Sequence, residues 1–182
     1  MIVYFIIGII ALVVIYAIAQ YNSFIKLNNM VKEAFSTMDV YLKKRWDLIP
    51  NFVESVKGYM QHEKEVLDGI VNLRNSSYDN MSFSDKIDKN KELSNGLSRL
   101  LAVAENYPEL KSSQNFSDLT SQLSQIEDEI AKSRKYYNAV VRNLNTKVEM
   151  FPSNLIANMF GFKTEKMFEV NEKERNNVKV DF

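Results

Sequence analysis

The 182-residue chain contains one histidine, His62, and no cysteine, and these two facts remove most of the chemistry that side chains do unaided. A di-iron carboxylate site in a helical bundle needs two Glu-x-x-His pairs, which a single imidazole cannot supply. His62-Glu63 begins an H-E-x-x-H pattern, in which two histidines one helical turn apart hold zinc, but Val66 stands where the second should be. His62 therefore reads as a solvated residue at a helix end. The lack of cysteine excludes disulfides, thiolate nucleophiles and Cys-based metal sites, without identifying a compartment. Serines abound, yet they fall mostly in polar loops and at cap positions. Neither a G-x-S-x-G turn nor a Gly-rich phosphate loop occurs. No catalytic residue, metal or cofactor is expected on these grounds.

Two charged features remain. Lys43, Lys44 and Arg45 form a basic run of the kind that invites a phosphate-binding claim, but successive residues on a helix point in different directions, and Asp39 and Asp47 flank the run. A solvated helix face is the better reading of it. Arg45 is more informative, because it also falls on an apolar seam, where a guanidinium is costly unless it is paired or reaches water. Across the whole chain Lys+Arg and Asp+Glu balance at 23 each, so no net field favours nucleic acid or another charged polymer.

The elements that must position these residues begin with an apolar stretch. From Ile2 to Ala19 the chain reads IVYFIIGIIALVVIYAIA, without a charged side chain. At 1.5 Å per residue it spans about 27 Å, against a bilayer core of roughly 30 Å. Ala17-Ile18-Ala19 resembles a signal-peptide cleavage site, but no basic residue precedes the run, and the run is longer than the usual ~7–15-residue apolar region. A retained transmembrane anchor over residues 1–19 is expected. Only the amino terminus precedes it, whereas Lys26 and Lys32 follow, with Lys43, Lys44 and Arg45 further on. The positive-inside bias therefore places the N-terminus outside and the remainder in the cytoplasm.

Downstream the signal is helical throughout. Phe24, Asn28, Val31, Phe35, Met38, Leu42, Arg45, Ile49, Phe52, Val56 and Tyr59 alternate steps of four and three, a heptad seam that faces other helices. This helix is expected to continue directly from the span, with a kink or break near Ile49 because Pro50 removes a backbone donor. A second seam runs through Phe116, Leu119, Leu123, Ile126 and Ile130, then Tyr137, Val140, Leu144, Val148 and Phe151, a helix of about ten turns. Between them lie helical stretches near 63–77, with Val66, Ile70 and Leu73 on one face, and near 84–106, with Leu93, Leu97, Leu100 and Ala104. Ser84 is the expected N-cap of the latter. Residues 76–82 read as a turn, and Tyr107-Pro108 as the end of the third helix.

Four amphipathic helices with short connections predict an all-α fold: an elongated antiparallel four-helix bundle over residues 20–151, preceded by the transmembrane helix. Residues 152–182 supply a short amphipathic segment and a C-terminal tail. The first helix should run about forty residues, roughly 60 Å, from the membrane, and the fourth should bring Phe151 back to the membrane surface. There Phe151, Leu155, Ile156, Met159, Phe160 and Phe162 gather apolar groups suited either to the headgroup boundary or to closing the end of the bundle. The same pairing, with Phe24 beside Phe151, puts Arg45 near Ile130 and brings Glu127 or Glu129 within reach. An ion pair there would fix helix register, and Asn28 could act likewise. A partly exposed arginine is the alternative.

The stretches EAFSTMDVYLKKRWDLIPNFVESVKGYMQHE (33–63), LLAVAENYPELKSSQNFSDL (100–119), YNAVVRNLNTKVEMFPSNLIANMFGF (137–162) and the terminal VKVDF closely resemble the LemA family. The resemblance covers essentially the whole chain, anchor included. Phe35 stands where many members have Trp, which retains a large aromatic. What the resemblance implies is a bacterial protein with a short outward-facing N-terminus, one span and an antiparallel helical bundle. The family has no established catalytic activity, so no catalytic or binding residue carries over.

The expected role is a membrane-anchored, non-catalytic scaffold or adaptor at a bacterial inner membrane. Its cytoplasmic bundle would face partner proteins, with the lipid bilayer and an unidentified membrane-associated protein as partners and no nucleic acid. The alternative is a membrane-surface sensor or lipid-remodelling protein acting through its juxtamembrane apolar segment, and an enzyme with an unrecognised site ranks third. Self-association through an exposed heptad face is a further possibility.

Overall fold

The computed structural model describes residues 1–60, 63–74 and 78–168. His62, residues 76–77 of the expected 76–82 turn and the terminal VKVDF lie outside these residues. Among the described residues every regular element is helical.

Helix α1 spans Ile2–Lys57, 56 residues without interruption. Its first eighteen positions are apolar, and it is long and apolar enough to cross a membrane, with no part of its apolar window buried within the protein. A helix suits that role because it satisfies its own backbone polar groups where no water can. Past Ala19 the seam residues turn inward: Phe24, Val31, Met38, Leu42, Arg45, Ile49, Phe52 and Val56 are all buried. The helix continues through Pro50 to Lys57, so the expected break is absent. One missing donor is a local loss, and burial of Ile49 and Phe52 on either side holds the helix together across it. Tyr59, expected on the seam, is exposed. The helix has already ended, and Met60, whose N–H bonds to the Val56 carbonyl at 3.0 Å, takes the buried position instead.

The described chain divides into two compact units, residues 35–133 and residues 1–34 with those from 134 onward. In the first unit α1 is joined by α2 (Lys64–Arg74), a 3₁₀ turn (Tyr78–Asn80), α3 (Phe83–Ala104) and α4 (Pro108–Lys111), with the N-terminal part of α5 (Gln114–Glu149). The N-cap of α3 is Ser82 rather than Ser84: its hydroxyl accepts the Asp85 N–H at 3.2 Å, satisfying a first-turn donor. Gly96 lets α3 approach α2, since a Cβ there would lie 3.1 Å from Ile70 Cγ1. Pro108 begins α4 besides following the end of α3, as its fixed φ and missing N–H cost little at a first helical position.

In the second unit α5 ends at Glu149, so Phe151 leaves the seam and is exposed. Helix α6 (Ser153–Phe160) follows, closed by Gly161 at φ 74, a left-handed conformation that favours glycine. Beyond it the chain runs without regular structure to Phe168.

Candidate functional site

Each unit holds one cluster of interest. In the unit of residues 35–133, Arg45 is 0% exposed. Its Nη1 donates to Ser94 Oγ and Glu127 Oε1, both at 2.8 Å. Its Nη2 donates to the Asn90 carbonyl at 3.0 Å and to Asn90 Oδ1 at 2.7 Å. Buried Asn90 in turn donates its amide to the Lys86 carbonyl at 2.8 Å. The Lys86 ammonium pairs with Asp39 at 2.7 Å, and the other Asp39 oxygen accepts the Tyr78 hydroxyl at 2.6 Å. Lys86 also lies over the Tyr78 ring, and Trp46 packs beside it at 5.3 Å between centroids. Burial first, and then the bond to Asp39, raise the Tyr78 phenol well above its ordinary pKa.

Within this network Arg45 and Lys86 balance Glu127 and Asp39. That satisfies the requirement that buried charge be paired and hydrogen-bonded. Glu129 goes elsewhere. It pairs with Lys132 at 2.7 Å, and that bond, the largest influence, lowers its carboxyl pKa and raises that of the Lys132 ammonium. Of the two candidate partners, the one at Arg45 is Glu127. The basic run splits three ways: Lys43 pairs with Asp47 at 2.6 Å, Lys44 lies over the Tyr41 ring, and Arg45 turns inward. Asn90, Ser94 and Tyr78 were not singled out by the sequence, and Asp39 was read only as a flank of the basic run. Their places depend on the register of α3 and of the 3₁₀ turn against α1, which a heptad seam in α1 does not specify.

In the other unit α6 lies against α1 just beyond its apolar stretch. The Tyr21 ring meets Phe160 edge-on at 4.8 Å and Phe162 at 5.8 Å, and Phe24 stacks on Phe162 at 4.7 Å. Of the six apolar candidates, Phe151 (76%), Leu155 (56%), Met159 (73%) and Phe160 (52%) are exposed. Ile156 is buried and Phe162 half-buried. Ser153 ties the helix down by donating to the carbonyls of Lys147 at 2.7 Å and Met150 at 2.9 Å. The Lys147 ammonium donates to Ser23 Oγ and sits over the Phe24 ring at 5.2 Å. Burial lowers its pKa.

Residues 165–168 are clamped to α5 by two asparagines. Asn145 donates to the Glu165 carbonyl at 2.9 Å and accepts the Glu165 N–H at 2.8 Å. Asn138 does the same with Phe168, at 2.9 Å in each direction. Seven helical residues rise about 10.5 Å, and three extended residues cover about 10 Å, so the spacings match. The Tyr137 hydroxyl donates to the Lys166 carbonyl at 2.9 Å. Burial, followed by the nearby Glu165 charge, raises the Tyr137 phenol pKa. Within the residues 35–133 unit, Tyr107 also donates to Glu63 at 2.6 Å. Among the described residues no group of three or more His, Asp or Glu could hold a metal ion.

Among the described residues these features are those of an all-helical protein with a helix long and apolar enough to cross a membrane, a charge-balanced core cluster and a short apolar helix packed beside that long helix. The LemA family profile matches residues 34–182, and the chain belongs to the LemA family. It is 25% identical over 162 residues to Protein LemA of Metamycoplasma hominis, an alignment covering 88% of this chain and 74% of that protein. It is also similar to Magnetosome protein MamQ 2 of Paramagnetospirillum magneticum, 36% identical over 75 residues, or 41% of this chain and 28% of that protein. Magnetosome protein MamQ of Magnetospirillum gryphiswaldense is 32% identical over 74 residues, or 41% of this chain and 27% of that protein.

Proposed function

We propose that the chain is a non-catalytic protein of the bacterial inner membrane that works at the lipid–water boundary. Its α1 is held in the bilayer by residues 2–19, and α6 lies in the headgroup layer beside it. The observation that carries this reading is the contact of Phe160 with Tyr21, two residues past the apolar stretch. With residues 2–19 in the bilayer, that contact supports a position for the exposed face of α6 at the level where aromatic side chains collect in membrane proteins. Lys26 and Lys32 following the span favour a cytoplasmic position for the rest of the chain.

An antiparallel four-helix arrangement belongs to the same proposal. It is supported by contacts of α1 with α5: Arg45 meets Glu127, while Phe52, later in α1, meets Phe116, earlier in α5. The Arg45–Glu127 pair is assigned the role of fixing that register.

A photoactivatable phospholipid, incorporated with the full chain into vesicles, tests the lipid reading. Adducts on Leu155, Met159 or Phe160 are expected in addition to those within residues 2–19. Adducts confined to residues 2–19 would remove α6 from the membrane surface.

A second reading, a scaffold or adaptor for membrane-associated proteins, is favoured by the recurrence of a segment of about two-fifths of this chain in longer relatives. Such recurrence is what a reusable docking module would show. Crosslinking in native membranes, with each crosslink located by residue, separates the two. A single protein crosslinked reproducibly to one helix face supports the scaffold, and crosslinks scattered over all faces count against it.

A further inference from the structure

We propose that Lys147 and Ser23 form a binding site for the phosphate of an anionic membrane phospholipid, an inference that rests on the placement of α6 at the membrane surface. Lys147 is a half-buried cation, and among the described residues no carboxylate pairs with it. An ammonium partly withdrawn from water without a counter-charge carries a desolvation cost, in keeping with the lowering of its pKa by burial. Its hydrogen-bond and ring contacts among the described residues are the Ser23 hydroxyl and the Phe24 ring face, neither of which carries a charge.

The usual explanation for a lysine in the last turn of a helix is that it serves the free carbonyls there. Here Ser153 occupies the Lys147 and Met150 carbonyls, and the Asn154 N–H also bonds to the Met150 carbonyl. The ammonium instead crosses to α1. A phosphate beside it would restore the missing counter-charge and give the Ser23 hydroxyl an acceptor.

Depth selects a lipid as the source of that phosphate. Ser23 lies four residues past Ala19, a rise of about 6 Å, while the polar layer on each side of a bilayer's apolar core is roughly 5–7 Å thick. Lys147 and Ser23 therefore fall at the phosphate level when residues 2–19 fill the core. Exposed Leu155, Met159 and Phe160 supply apolar surface on which acyl chains can lie.

The test uses the full chain in nanodiscs of phosphatidylcholine with a minor fraction of phosphatidylglycerol, and native mass spectrometry of the lipids each protein retains. One lysine near an anionic surface is worth a preference of about five-fold. The wild type should retain phosphatidylglycerol over phosphatidylcholine by that factor. Lys147→Gln should lose the preference, and Lys147→Arg, which keeps the charge, should keep it. Free inorganic phosphate should not displace the lipid.

Full preference in Lys147→Gln would overturn the site. So would an equal loss in Lys163→Gln, which would indicate diffuse charge, or displacement by inorganic phosphate, which would indicate a soluble anion. Lipid photo-adducts on Met159, measured on the same samples, separate this failure from that of the underlying reading. With adducts present and no Lys147 effect, only the phosphate site falls; with adducts absent, the placement of α6 falls as well.

Discussion

Arg45 shows how much a single side chain can commit a helical core. Its guanidinium is fully buried and makes four hydrogen bonds to groups on α3 and α5. Replacing it by Met keeps the bulk but leaves the Asn90 amide oxygen and the inner Glu127 oxygen without their donor. The expected cost is about 3 kcal/mol, the upper part of the range for leaving a buried polar group, here Asn90, without its charged donor. Glu127→Gln should cost no more than about 1 kcal/mol, because the Glu127 side chain is 41% exposed and water screens the pair. Urea unfolding of the full chain in detergent micelles compares the two, and equal costs would show that the cluster is not centred on Arg45. Tyr78 gives a pH signature. Its phenol pKa is raised in the folded protein, so the stabilisation it provides is complete below the unfolded value of about 10 and is lost as pH rises through the folded value. Wild type should therefore lose stability above pH ~10 more steeply than Tyr78→Phe, and identical alkaline profiles would exclude this origin.

Among the elements, the clamp on residues 165–168 answers most directly to mutation. Asn138→Ala removes both bonds to Phe168, at about 1 kcal/mol each. Amide exchange at Phe168 should accelerate roughly ten- to thirty-fold while the amides of α5 stay protected; unchanged exchange would mean that packing of the Phe168 ring on Tyr137 suffices alone. This clamp was not legible in the sequence. Asparagine side chains grip backbone groups, which every residue carries, so residues 165–168 need no periodicity or special composition. The long helices were legible because burial imposes a repeat on them: Met38, Leu42, Ile49 and Phe52 lie on the buried face that their spacing predicts. The repeat could not place the ends. Tyr59 and Phe151 continue the arithmetic of their seams but stand beyond Lys57 and Glu149, where the helices stop. At α3 the cap moved from Ser84 to Ser82 because Asp85 stands three residues after Ser82, where its N–H meets the Ser82 hydroxyl.

For the molecule as a whole, the proposed boundary between lipid and water lies at Tyr21 and α6, with residues 2–19 on one side. Half of that site could be read from the residues: the apolar stretch and the cluster of large apolar groups after Phe151 are visible by composition. The contact of Phe160 with Tyr21, and the Lys147 ammonium over Phe24, are not, since each depends on how the chain turns between α5 and α6. The absence of cysteine makes single-site labelling clean. The most direct measurement is nitroxide accessibility to oxygen and to a water-soluble nickel chelate, with one label at a time at Ile9, Met159 or Asp68 of the full chain in vesicles. Ile9 should lie deep in the apolar core, Met159 at headgroup level and Asp68 in water. A label at Met159 as accessible to the nickel chelate as the one at Asp68 would contradict that boundary.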